Sequence, residues 1–352
     1  MVESTRREWP LKRLMTEIIG SGPKSSEDMT REQAMEAFRR ILNDIPDPTT
    51  LGAFWLANRW KRNTPEELAA YIDVMAEESV SFGVPSCDPL DCGANYDGKN
   101  TSALLGVGAG VVAGAAGTPV VVHSGERVPT QKACAYKHVL DELGVRTALC
   151  PEESAAMTDD IGFGFYYQPH ANPEVHALTD RRDQMGVRTF VNTIETLANP
   201  ARANAHLGSF YHLPYAKRII DTFAASEQYD VDRIVMFQGM EGYDDVRPGS
   251  TKVAVSTDGE LEDFDIETAE YGMDMTSDDL AVPDVAADSA RITEEVVSGD
   301  RTDEFADAIA LNAALRIYAR DDADTIDEGL VMAREAMDDG RAAETLAALK
   351  AF

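Results

Sequence analysis

The sequence predicts an α/β fold: a small N-terminal helical domain followed by a larger α/β domain with a central, mostly parallel sheet flanked by helices. Three observations predict it. The first eighty residues carry apolar positions at helical spacing between capping signals, short apolar runs alternate with helical stretches after Pro85, and the chain closes on further helices. With 352 residues, 44% hydrophobic and 27% charged, the chain has ordinary globular usage and enough length for one large domain with an appendage.

Along the chain, Thr30-Arg-Glu-Gln33 offers a helix cap, and Ala34, Ala37, Phe38, Ile41 and Leu42 recur at helical spacing behind it. A second helix follows Asp47-Pro48, with Leu51, Phe54, Trp55 and Ala57 as its apolar face, and Asn63-Thr-Pro-Glu-Glu67 caps a third. Residues 103–122 contain no charge and are long enough to raise the question of a membrane span. Gly106, Gly108, Gly110, Gly114 and Gly117, followed by Thr118-Pro119, instead divide them into a small-residue helix, packed closely on a sheet, and a buried strand. Strands are expected at 120–122, 161–166, 233–236 and 252–255, with helices at 132–143, 214–223, 303–318, 327–337 and 342–349. The acidic stretch 258–288 reads as solvated loop and edge hairpin.

Charge narrows the function. The 32 Lys and Arg against 62 Asp and Glu give a net charge of −30, which excludes a general electrostatic grip on nucleic acid; short groups such as Arg6-Arg7 and Lys217-Arg218 read as solvated faces. Nine lysines against 23 arginines, with acid spread evenly, suggest adaptation to a halophilic cytoplasm; the competing reading is an acidic face for a partner. The four cysteines form no C-x-x-C pair and the histidines no H-E-x-x-H, so neither a disulfide framework nor a zinc site is signalled. Met1 to Arg7 lacks an apolar segment, so no signal peptide and a cytoplasmic location are expected.

Chemistry concentrates where Asp91-Cys-Gly-Ala-Asn-Tyr-Asp-Gly-Lys-Asn-Thr-Ser102 leads into the Gly/Ala helix. Backbone N–H groups freed by glycines at a helix start make an anion site; a plain polar turn capping a helix has the same composition. Tyr166, Tyr167 and His170 beside Pro169 either wall a pocket or fill a gap between the helical and α/β parts.

This loop, with Ala115-Ala-Gly-Thr-Pro-Val-Val-Val-His123 and Val139-Leu-Asp-Glu-Leu-Gly-Val145, resembles the anthranilate phosphoribosyltransferase family (glycosyltransferase family 3). The resemblance extends through Leu51-Gly-Ala-Phe-Trp-Leu-Ala-Asn-Arg59, Arg182 with Met185-Gly-Val-Arg-Thr189, Leu197-Ala-Asn-Pro-Ala201, and the closing Leu311-Asn-Ala-Ala-Leu315 and Asp327-Glu-Gly-Leu330. It implies the nucleoside phosphorylase/phosphoribosyltransferase type of fold: a helical domain of residues 1–84, with helices from about 172–202 packing on it, and an α/β domain of 85–171 and 203–352. It also implies a homodimer. The implied activity, of the tryptophan-biosynthesis type, moves phosphoribose from phosphoribosyl pyrophosphate to the amine of anthranilate or a related aromatic acid, with Mg2+ on the pyrophosphate. The anomeric carbon becomes oxocarbenium-like as pyrophosphate leaves, so metal and backbone donors must hold the anion.

Carried onto this chain, the resemblance makes Gly93, Asn95, Asp97, Gly98, Asn100, Thr101, Ser102 and Arg127 phosphate-binding residues. His123, Tyr167, His170 and Arg182 become acceptor-binding, and Glu241 and Asp245 metal-binding. The chain departs from the family's motifs: Gly93-Ala-Asn-Tyr-Asp97 has lost two glycines of the pyrophosphate turn, Arg127 stands in for a lost lysine, and Met240-Glu241 keeps one carboxylate of two, with Asp244 and Asp245 nearby. Asn192-Thr-Ile-Glu195 stands where the enzymes have Asn-x-x-Gly-Pro. Such departures are similar to a paralogue branch without the full transferase motifs, so the alternative is a non-catalytic protein binding a nucleotide, sugar phosphate or nucleic acid in the same cleft. From the residues alone, His123 reads equally as a core histidine, Arg182 as a partner of Asp180 or Asp183, and Glu241, Asp244 and Asp245 as turn residues.

Overall fold

A computed structural model describes residues 8–352 apart from 23, 94–97, 128–132, 211, 244 and 258. The three expected N-terminal helices are α1 (Arg31–Leu42), α2 (Pro48–Lys61) and α3 (Pro65–Glu78). Each starts at the cap that the sequence signals. Thr30 with Gln33 and Thr64 with Glu67 close reciprocal capping boxes, and the Asp47 carboxylate accepts from the Thr50 amide, so donors that a helix start leaves orphaned are satisfied. Phe38, Phe54 and Tyr71 of these helices gather around Phe190, which stacks on Tyr71 at 4.3 Å between ring centroids. Residues 175–198 are thereby held on the helical layer in a shared core.

The sheet has seven strands in the order β3-β2-β1-β4-β5-β6-β7. β1 (Leu90–Cys92), β2 (Val120–Ser124), β3 (Phe163–Tyr167), β4 (Ala205–Ser209) and β5 (Arg233–Phe237) run parallel. β6 (Ser250–Thr257) and β7 (Glu260–Glu267) close one side as an antiparallel hairpin, the hairpin expected in the acidic stretch. β7 is an edge strand bearing Glu260, Glu262, Asp263, Asp265 and Glu267.

The uncharged segment divides as expected, into α4 (Gly106–Ala115) and β2. Contact with the sheet explains one of its glycines: a Cβ on Gly110 would lie 2.6 Å from the Phe163 ring, whereas one on Gly114 would lie 2.6 Å from the Gly162 carbonyl at the end of a helix, and Gly106 and Gly108 pack against Tyr136, Thr293 and Ile309 of other helices. Further helices are α5 (Tyr136–Glu142), α6 (Pro151–Ile161), α7 (Thr179–Met185), α8 (Leu213–Ala224), α9 (Val285–Val297), α10 (Glu304–Ala319), α11 (Ile326–Asp338) and α12 (Arg341–Ala351). α9 begins where loop was expected. Ile161 belongs to α6, which ends at Gly162 in the left-handed conformation (φ 81°), so β3 starts two residues later than the sequence suggests. No helix among the described residues is long and apolar enough to cross a membrane.

This topology fixes where a ligand can enter. From β1 the chain proceeds to β2 and β3 on one side, then to β4 and β5 on the other, so the strand order reverses between β1 and β4. Crossover connections leave both strands at that point in opposite directions and open a crevice beyond their carboxyl ends.

Candidate active site

At the carboxyl edge of the sheet, residues 98–102 form a receptor for an anion. Gly98 (φ 70°) turns the chain, and Lys99 and Cys134 exchange backbone hydrogen bonds of 2.9 Å, which holds the loop. The Ser102 amide (3.0 Å), the Thr101 hydroxyl (3.0 Å), the Asn100 amide (3.4 Å) and the Ser102 hydroxyl all donate to one carboxylate, that of Glu241. Partial burial would raise the carboxyl's pKa, but these donors outweigh it and hold Glu241 below the usual range. Glu241 has φ 53°, a conformation few non-glycine residues adopt. Thus Asn100, Thr101 and Ser102 converge, together with a residue expected on metal.

α4 begins at Gly106, and the amides ahead of it are occupied within the protein: Leu104 donates to the Ser289 hydroxyl (2.8 Å) and Leu105 to Asp245 (3.2 Å). Asp245, expected on metal, is fully buried, and its Oδ2 lies 2.5 Å from the equally buried Lys99 ammonium, so it is ion-paired within the protein. Asn95, Asp97 and Asp244 lie outside the described residues.

The four side chains expected on the acceptor do not form one group. Arg182 is 1% exposed and gives both terminal nitrogens to Glu195, at 2.8 and 2.7 Å, while the Gln168 amide donates 3.0 Å to the same carboxylate. Its partner is therefore neither Asp180 nor Asp183; those pair with Arg127, so the cation expected on phosphate is held at α7. Tyr167 donates to Glu126 (2.8 Å), and burial raises its hydroxyl pKa; His170 contacts Tyr167 edge-on and reaches the Leu149 carbonyl at 2.8 Å through Nδ1. His123 lies inside the sheet, its Nε2 3.4 Å from Asp91 Oδ1.

Sequence reasoning missed Asp91 and His206 as a pair. They face each other across β1 and β4, with His206 Nδ1 2.8 Å from Asp91 Oδ2. Burial would raise the pKa of Asp91, but His123 and His206 overcome it and lower the value to about 2. β1 and β4 are short and polar, and neither gives an apolar run to signal a strand. At their carboxyl ends lies a cavity of about 540 Å3, bounded by Gly93, His206 and Gly208 on the sheet, residues 188–197, and Arg59 and Arg62 at the end of α2. Among the described residues, no three His, Cys, Asp or Glu side chains gather as a metal site.

Known proteins share this architecture. Residues 91–343 match the family model described as the glycosyl transferase family a/b domain, and residues 15–79 the helical bundle domain of the same family. The anthranilate phosphoribosyltransferase of Methanocorpusculum labreanum is 30% identical over 325 residues, 92% of this chain and 93% of its own length. That of Natronomonas pharaonis is 29% identical over 329 residues, covering 93% and 96%. In fold, the anthranilate phosphoribosyltransferase of Thermus thermophilus superposes with a TM-score of 0.81 at 23% identity, over 97% of this chain and 98% of that one. The Saccharomyces cerevisiae enzyme in complex with PRPP and Mg gives 0.77 at 20% identity, over 90% and 91%.

Proposed function

The chain belongs to the glycosyl transferase family that joins this helical bundle to this α/β domain, and from that premise we propose that it is a pentosyltransferase of the anthranilate phosphoribosyltransferase type. Phosphoribosyl pyrophosphate is the donor, and an aromatic acid carrying an amine is the acceptor. Relatives of that name align with more than nine-tenths of the chain, which does not favour a non-catalytic binding role.

One observation carries the reading: the Asn100–Ser102 loop already binds an anion, with two backbone amides and two hydroxyls on the Glu241 carboxylate. Those donors suit phosphate oxygens equally well. For the donor to occupy the loop, Glu241 must turn away, and its exposed position at the cleft mouth allows that. The turn from Gly93 to Gly98 is proposed to hold the pyrophosphate beside it.

Magnesium, present with PRPP in the yeast structure, is proposed to arrive on the pyrophosphate. The described residues build no all-protein cage, and the donor chemistry that fits is the single carboxylate of Glu241 beside an ion held mainly by phosphate oxygens and water. Bound there, the ion would neutralise charge on the leaving pyrophosphate. The chain's own part is to hold the phosphates on fixed amides and to place the acceptor nitrogen against the anomeric carbon.

Titration calorimetry with phosphoribosyl pyrophosphate, in molar KCl to respect the proposed halophilic character, is expected to give saturable heat that requires magnesium. Conversion of anthranilate should follow as loss of its fluorescence. Folded protein that gives neither heat nor turnover would remove the reading. Light scattering in the same buffer tests the proposed homodimer.

A further inference from the structure

Beneath the receptor at residues 98–102 lies a pair of opposite charges that the receptor itself does not use. Lys99 belongs to the loop that supplies the donors, and Asp245 to the segment that carries Glu241. Both side chains are fully withdrawn from water, with Lys99 Nζ 2.5 Å from Asp245 Oδ2. A buried ion pair is a poor source of stability, since well-packed apolar residues of the same volume hold a core as well or better. Asp245 adds to its cost: Oδ1 is buried and accepts no hydrogen bond among the described residues. What such a pair does fix is direction, through the further hydrogen bonds that each charge demands.

Those further bonds fall on the backbone around the receptor. Lys99 donates to the Ala103 carbonyl at 3.0 Å and closes the loop on itself. Asp245 Oδ2 accepts from the Leu105 amide at 3.2 Å, just ahead of α4, and the Asp245 carbonyl accepts from the Met240 amide at 2.7 Å, immediately before Glu241. The Val246 amide then donates 2.8 Å to Oδ1 of Asn312, which is buried in α10. On its outer side the loop is tied separately, by Ala103 to the Leu280 carbonyl at 2.9 Å and by the Val282 amide to the Thr101 carbonyl at 3.0 Å. The Glu241 segment thus reaches the loop twice: through Glu241 at the surface, and through Asp245 below it. When Glu241 turns away its four hydrogen bonds go with it, whereas the bonds of Asp245 do not depend on it.

We propose that Lys99 and Asp245 are positioning residues for the phosphates of the donor, their buried pair keeping the Asn100–Ser102 amides and hydroxyls convergent once Glu241 has left. The proposal rests on the transferase reading, in which those groups take phosphate oxygens. Donors held in advance need no rearrangement when the anion arrives. The lysine also acts through its field. Burial raises the pKa of Glu241, the loop's donors lower it, and the Lys99 charge lowers it further, so that charge is felt at the seat an incoming anion would take.

The test compares wild type with Lys99→Met/Asp245→Asn, in which both charges are gone while side-chain length and an acceptor for the Leu105 amide remain. Its probe is inorganic pyrophosphate, titrated by calorimetry in molar KCl beside thermal melts. The neutral pair is expected to melt near wild type and to bind pyrophosphate at least about tenfold more weakly. Adding Glu241→Ala to the neutral pair should bring no tightening, because the vacated loop no longer keeps its donors convergent. A neutral pair that folds and binds pyrophosphate within about twofold of wild type overturns the proposal and leaves the transferase reading standing. Wild type that binds no pyrophosphate removes that reading, and the proposal with it. Amide exchange in the Glu241→Ala single variant gives a second measurement that does not need the neutral pair to fold. The Met240 and Leu105 amides, both held through Asp245, should stay as slow as in wild type; exchange faster by about a hundredfold or more would show that Glu241 held the two segments together, and would overturn the proposal.

Discussion

Glu241 and Glu195 each sit in a donor-rich receptor that the protein itself provides, and they do so in opposite surroundings. Glu241 rests on the amides and hydroxyls of residues 100–102 at an exposed cleft mouth. Glu195 receives a bidentate arginine, Arg182, in a pocket from which both are almost wholly withdrawn from water. An exposed carboxylate can trade protein donors for water at little cost, so Glu241 is a displaceable occupant. A buried one cannot leave without stranding the guanidinium, so Glu195 is a strut. The two contacts differ in charge as well as in burial: neutral amides and hydroxyls hold Glu241, a guanidinium holds Glu195.

The largest effect expected from this contrast is on folding. Glu195→Ala leaves Arg182 charged and unpaired, and should cost about 3 to 5 kcal/mol in urea denaturation, while Glu241→Ala should cost no more than about 1 kcal/mol. Replacing Arg182 and Glu195 together by methionine should recover most of the loss. Equal costs for the two single variants would break the distinction between strut and displaceable occupant.

Asp91, held by His206 and His123, sharpens the contrast as a second strut. Its folded pKa of about 2 lies below the unfolded value, so the unfolded chain takes up the proton first as pH falls. Its contribution, about 2 kcal/mol, is complete above roughly pH 4 and disappears as pH falls to about 2. The acid side of a stability profile should be flatter in Asp91→Asn than in wild type across that window; identical slopes would remove Asp91 from the class.

The smallest effect concerns the displaceable occupant itself. With Glu241→Ala the loop no longer holds a competing anion, so pyrophosphate without magnesium should bind about tenfold more tightly, a gain of about 1.4 kcal/mol. Added magnesium should shrink the gain, because the variant has lost the carboxylate proposed for the ion. Unchanged affinity in calorimetry would mean that Glu241 does not guard the loop.

Much of the fold was legible because its signals are local. Thr30, Asp47 and Thr64 announce helices through caps that each satisfy amides a few residues away, and the glycines before Thr118-Pro119 mark close packing in a run without charge. β1 and β4 were not legible, since three- and five-residue strands containing Asp91 and His206 show no apolar period. The receptor loop at Asn100–Ser102 could be read as a candidate because its residue types are those of an anion turn. What occupies it could not, because Glu241 lies 139 residues from Ser102 in sequence. At Arg182 the separation is short, and Glu195 was visible as a departure from the motif, but only packing shows that its carboxylate takes both terminal nitrogens of the guanidinium.

The acidic hairpin has a consequence for solubility. β7 leaves one side of its backbone ladder without a neighbouring strand, and open ladders invite a second molecule to add on. Addition of a second β7 would bring ten carboxylates within cross-strand reach, of which Lys252 answers two on each chain. In dilute buffer, repulsion alone guards that edge. At molar salt, where screening acts within about 3 Å, the guard becomes the reluctance of hydrated carboxylates to shed water, so the strand is protected against self-association at both extremes by different physics.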